Sequence, residues 1–193
     1  VIASGLASAQ DWPQRPVRVV VPFAAGGNTD TIARIVSERL NATLGQQFVV
    51  ENRVGAGGAI ACEFVAKSPP DGYTLIMAAV SQIAILPHIQ KISYDPVRDF
   101  APISNVGTNP FVLGVHESVP ARTLAEFVEH VKARPGRLNY ASGGNGTIGH
   151  LSGALFLARA GLAMTHVPYK GGAPAVADLV AGQRAPRRAG LER

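Results

Sequence analysis

The sequence predicts an α/β fold in two lobes, each a mostly parallel sheet flanked by helices. Three observations lead there. Short β-branched runs such as Val17–Val21 alternate with apolar residues at helical spacing, such as Ile32, Val36, Leu40 and Leu44. Each half carries a glycine-rich loop at a strand-to-helix junction. The alternation breaks once, around Tyr94–Ser104, and then resumes. The 193 residues are 47% hydrophobic and 16% charged, a globular composition long enough for two small cores.

The elements follow in order. Val17–Val21 reads as a buried parallel strand. After PFAAGGNTD comes an amphipathic helix, for which Asn28, Thr29 and Asp30 are candidate caps and Gly45 the stop. Phe48–Glu51 is a strand, Ala59–Lys67 a helix, Pro69–Gly72 a turn and Tyr73–Ala78 a third strand. Tyr94–Ser104 is the expected crossing between lobes. A second series opens with a strand at Phe111–Val115. A helix follows, with a Thr123/Glu126 capping box and Leu124, Phe127, Val128 and Val131 on its apolar face. Leu138–Ala141 is a strand, and SGGNGTIGH enters a helix with Leu151, Ala154, Leu155 and Ala158 on one face. Met164–Val167 is a strand, Tyr169–Gly172 a turn, and Val176, Leu179 and Val180 mark a last helix. Lobe one is placed at 10–103 and lobe two at 104–183.

The ends read differently. Residues 1–9, VIASGLASA, resemble the end of an export signal. Ala7-Ser8-Ala9 fits the small-x-small cleavage rule, which makes Gln10 the first mature residue of a periplasmic protein. Residues 184–193 form an Arg-rich tail with four arginines against one glutamate. That tail supplies +3 of the net charge of +5. With no basic stripe elsewhere and no interleaved aromatics, nucleic-acid binding is excluded as the main reading. The single Cys62 rules out an intrachain disulfide, and its apolar neighbours suggest a buried side chain.

Two loops carry candidate chemistry. Each leaves a strand and enters a helix N-terminus, where unpaired N–H groups and the helix dipole favour an anion. Glycine lets the backbone approach a ligand closely. The first loop offers Phe23, Gly26, Gly27, Asn28, Thr29 and Asp30. The second offers Ser142, Gly144, Asn145, Gly146, Thr147 and His150. Ligands of open α/β sheets sit at this carboxyl edge of the strands. Read alone, either loop would be only a turn and a cap.

Six strings in order carry a resemblance over about residues 11–183: WPQRPVRVVVPFAAGGNTDTIARIV, VENRVGAGGAIA, PPDGYTLIMA, YDPVRDFAPIS, LNYASGGNGTIGHL and THVPYKGGAPAVADLVAGQ. Together they resemble the Bug family, the receptors of tripartite tricarboxylate transporters. The resemblance implies a periplasmic-binding-protein-like architecture closing on a carboxylate-bearing anion, with no cofactor and no catalysis. The ligand could be a di- or tricarboxylate, an amino acid or an aromatic acid. The resemblance also implies a monomer in the cell envelope with membrane permease subunits as partners. At the expected edges it adds Ser81 in lobe one, and Tyr169 and Gly171 in lobe two. Two departures stand out. Ala61 replaces a common glycine, and RAPRRAGLER stands where an apolar strand and return segments are implied. The chain therefore reads as truncated, with lobes joined by little beyond the crossing and with apolar surface left exposed.

Other functions fit the residues less well. Gly144–Gly149 has the dinucleotide spacing, but the next strand ends in Val167-Pro168-Tyr169-Lys170 without an acid for a ribose. Gly55-Ala56-Gly57-Gly58 fails that spacing, with Ile60 in the third glycine's place. The five histidines lack metal-ligand spacing. A hydrolase using Ser142 and His150 lacks a nucleophile elbow and an orienting acid. Lys170 is assigned to solvent and Tyr169 to a ligand wall. An α/β enzyme on the same loops and a ligand sensor for a signalling partner stand as alternatives to a transport receptor.

Overall fold

A computed structural model describes residues 12–182. The expected signal remnant and cleavage point, and the Arg-rich tail, lie outside the described residues. The strands form two parallel sheets, one of three strands and one of two.

In the first sheet, β1 (Val17–Val21) lies between β2 (Phe48–Asn52) and β3 (Thr74–Ile76). Val19 pairs with Val50 on one side and with Leu75 on the other. Both neighbours bury β1, which is why its sequence is nearly all valine. Helix α1 (Asn28–Leu44) packs on this sheet through Ala33 and Ser37, whose small side chains let it sit close. The core gathers Val17, Val19, Val21, Ala33 and Phe48, with Leu40, Tyr73 and Met77 at its margin. Helix α2 (Ala59–Ala66) buries Ala61 and Cys62. A wide π-type turn at Ser81–Ile85 runs into the short helix α3 (Leu86–Ile89).

In the second sheet, β4 (Asn139–Ser142) pairs with β5 (Thr165–Pro168) from Asn139↔Thr165 to Ser142↔Pro168. Around it lie α4 (Leu124–Lys132), α5 (Ile148–Ala160) and α6 (Gly172–Val180). Half of the expected capping box forms: Glu126 N donates to Thr123 Oγ1 at 3.2 Å, but the Glu126 carboxylate takes the N–H of Arg122 at 2.7 Å, one residue before the cap. Phe127 and Val131 bury the inner face of α4.

Three expectations are corrected. Phe111–Val115 is not a strand. The whole run 101–116 carries no helix or strand and no ladder partners, and Phe111 and Val112 are 67% and 87% exposed. β-branched composition alone does not make a strand, because the ladder needs a neighbour and none stands beside it among the described residues. On α5, the face of Leu151 and Leu155 points outward, while Leu157 is buried and Gly153 lies against the Tyr140 ring. Finally, the lobes meet directly. Ala24 N donates to Lys170 O at 2.8 Å, and Ile148 N donates to Ser81 Oγ at 3.2 Å.

Candidate functional site

The carboxyl ends of four strands converge on one cavity of about 200 Å³. Pro22 and Phe23 follow β1, and Gly55–Gly58 follow β2. Gly143, Gly144 and Asn145 follow β4, and Tyr169 and Lys170 continue from Pro168 at the end of β5. This is the edge at which α/β sheets take ligands. Lys170 is the one charged side chain on the lining. The rest is backbone, apolar surface and Asn145, a surface that offers donors without a competing carboxylate.

The loop after β2 faces the second lobe across the cleft. Gly55, Ala56, Gly57 and Gly58 all have positive φ, at 131°, 48°, 64° and 100°. That run is open to glycine and strained for Ala56. A Cβ on Gly57 would stand 2.5 Å from Asn145 O across the cleft. Gln82, fully buried, holds the loop by donating Nε2 to Gly57 O at 2.5 Å. Its Oε1 accepts from Ala79 N at 2.9 Å, and its carbonyl takes the Tyr94 hydroxyl at 2.7 Å.

The first loop is organised from below by Asp30, which is only 2% exposed. Its carboxylate accepts from Gly26 N (2.8 Å), Asn52 Nδ2 (2.8 Å), Arg34 Nε (2.9 Å) and Arg34 Nη2 (3.1 Å). Asn52 Nδ2 also donates to Phe23 O at 2.9 Å, which ties β2 to the loop. Burial pushes the Asp30 pKa up, but the hydrogen bonds from Arg34, Gly26 and Asn52 outweigh it and hold the group below the ordinary aspartate value. The cap of α1 is Gly27, not Asn28, Thr29 or Asp30.

The second loop is braced by its own side chains. Ser142 Oγ lies 2.7 Å from His166 Nε2, accepts from Gly144 N at 3.2 Å and reaches Gly144 O at 3.1 Å. Thr147 caps α5 and donates to Gly144 O at 2.7 Å. The Ser142 hydroxyl is thus engaged beneath the loop, beside His166 rather than His150.

Four of the residues expected at the site line the cavity: Phe23, Gly144, Asn145 and Tyr169. The Tyr169 hydroxyl turns away to donate to Asp178 on α6 at 2.7 Å. Gly26, Gly27 and Gly171 lie on the seam between lobes, where Gly171 faces Ala24 and Phe23, and Gly26 and Gly27 face the start of α6. Ser81 caps α5 from the other lobe. Gly146 packs on Leu86 and Ile89, and its N–H donates to His150 Nδ1 at 3.2 Å. Asp30, Ser142 and Thr147 are buried supports, while Asn28 and Thr29 are off the lining. Lys170, assigned to solvent, is exposed and also borders the cavity. Sequence reasoning passed over Gly55–Gly58, having tested that run only against the dinucleotide spacing. Its position between a strand and a helix was the signal that would have found it.

The chain is similar to several known proteins. Residues 32–187 match the family model described as Tripartite tricarboxylate transporter family receptor. A UPF0065 protein from the tcbD-tcbE intergenic region of Pseudomonas sp. (strain P51) is 42% identical over 172 residues, 89% of this chain and 51% of that protein. Protein BugT of Bordetella pertussis is 41% identical over 177 residues, 91% of this chain and 54% of its own length. The R. palustris protein Rpa4515, solved with adipate, superposes with a TM-score of 0.85 at 41% identity, covering 87% of this chain and 56% of that one. MatC from Rhodopseudomonas palustris, solved with bound malate, gives 0.78 at 37% identity, covering 89% and 58%. The chain spans about half the length of the curated relatives it matches. With the family model matched over most of its residues and the two-lobe α/β fold shared, the chain belongs to the tripartite tricarboxylate transporter receptor family.

Proposed function

We propose that this chain holds a small carboxylate-bearing organic anion between its two lobes, as part of an extracytoplasmic receptor that delivers the anion to a permease of the tripartite tricarboxylate type. The observation that carries the reading is the cavity at the carboxyl edges of both sheets. Its walls are glycine-rich loops, and Lys170 is its one charged side chain. Loop backbone and a lysine on the lining suit a carboxylate and involve no bond making. The adipate and malate carried by two structural neighbours fit this class. In this reading lobe one spans 10–103 and lobe two 104–183. The receptor acts as a monomer without catalysis, and export removes residues 1–9. No helix among the described residues is long and apolar enough to cross a membrane.

A thermal-shift and calorimetry screen tests it. Di- and tricarboxylates, amino acids and nicotinate-like acids are added to the purified chain, each beside its neutral amide. A ligand that binds only the folded state raises the melting temperature by mass action. At least one acid should raise it while its amide does not. Equal shifts from acids and amides, or none from any acid, would overturn the anion reading. Turnover of a bound acid would favour the enzyme alternative.

A further inference from the structure

Beneath the second loop two imidazoles stack. The rings of His150 on α5 and His166 on β5 have centroids 4.1 Å apart and planes within 17°. Tyr140 on β4 stacks on His166 as well, at 4.8 Å and 29°. Each histidine holds one part of the loop. His150 Nδ1 accepts the Gly146 N–H, and His166 Nε2 meets the Ser142 hydroxyl that accepts the Gly144 N–H.

We propose that His150 and His166 are positioning residues for the second loop, and that proton uptake at His150 Nδ1 releases it. This rests on the reading of that loop as part of the anion cradle. Accepting the Gly146 N–H requires a lone pair on Nδ1, so His150 is neutral and carries its proton on Nε2. A proton on Nδ1 would set two N–H groups against each other. Burial first, and the neighbouring His150 second, lower His166 to about 4, so it stays neutral under mildly acid conditions. Burial raises the Tyr140 phenol, which keeps it neutral as well. Among the described residues neither imidazole lies within ion-pair distance of a carboxylate that could hold a positive charge. The loop is therefore ordered in neutral solution and loosened by acid, and its anion would be held and released accordingly.

The experiment follows the Gly144 and Gly146 amides of the 193-residue chain by ¹⁵N NMR and hydrogen exchange, without ligand. The range runs from about pH 7.5 to about pH 5, where imidazoles take up protons. Gly146 protection, corrected for intrinsic exchange, should fall about tenfold on the acid side, the scale of one lost hydrogen bond. His150→Asn keeps an acceptor near Nδ1 but cannot titrate, so its Gly146 protection should stay high across the range. His150→Phe keeps the stacked ring without an acceptor, so its protection should be low throughout. An acid-side loss that persists in His150→Asn, or wild-type protection in His150→Phe, would overturn the proposal. A malate or adipate titration at both ends of the range reports separately on the cradle. Loop release without any anion binding would sink the cradle reading and leave the histidine mechanism standing.

Discussion

Asp30 shows how one side chain can shape a loop it does not touch with ligand. Four donors converge on a carboxylate that is almost fully buried. Asp30→Ala would leave the Gly26 N–H without its partner and the Asn52 amide with only Phe23 O. The Arg34 contribution is smaller, because that side chain is 54% exposed. The expected loss is about 2–4 kcal/mol in urea unfolding. The folded pKa of Asp30 lies below its unfolded value, so its contribution is full above the ordinary aspartate range and disappears as pH falls through the folded value. His166 acts in a separate window. Its folded value of about 4 lies below the ordinary 6.5, so the unfolded chain takes the proton first. Stability should therefore decline as pH falls from 6.5 towards 4 and level off below. In His166→Gln that part of the slope should vanish from urea midpoints measured across the window. An unchanged slope would place the titrating group elsewhere.

At the scale of elements, strands aim the loops and loops meet other loops. The β2–α2 loop is held at the cleft by Gln82, in the turn that follows β3, which donates to Gly57 O. Gly57→Ala should strain the backbone at φ +64° and drive a methyl into Asn145 O, separating the lobes. Gly45→Ala is the matched control, since Gly45 has φ +70° but nothing within 4 Å of the added carbon. The control should lose about 1–2 kcal/mol of stability, the scale of left-handed strain, and keep its response to anions. Gly57→Ala should lose that response as well. If the two variants retain equal anion binding, the 55–58 loop is not part of the site.

At the scale of the molecule, two backbone donations and a glycine seam join the lobes. Apolar side chains stay exposed along 101–116 and on the outer faces of α4, α5 and α6, including Leu124, Leu155 and Val180. A run without ladder bonds opens with little free energy. Limited chymotrypsin digestion should cut first at Phe111 or Leu113, ahead of Tyr94 and Phe127, which are 6% and 5% exposed. N-terminal sequencing of the first fragments checks this. Early cleavage at Tyr94 or Phe127 would mean that the sheets themselves open first.

The sequence by itself determined the α/β class, the order of most strands and helices, and the family. Periodicity, caps and turn residues are local signals, and six ordered strings leave little room for another family. It also marked the two loops at their strand-to-helix junctions. Tertiary structure decided which of their residues face the cavity. Thr29 and Phe23 are six residues apart, yet only Phe23 lines the cleft, because the chain has already turned into α1 after Gly27 and carries Thr29 with it. It also decided that Ser81 and Gly171 join the lobes, that Gly55–Gly58 enters the cleft, and that Phe111–Val115 has no ladder. Each of these outcomes depends on a partner far away in the chain. Spacing along the sequence carries the period of an element, but not the identity of the group that element will meet.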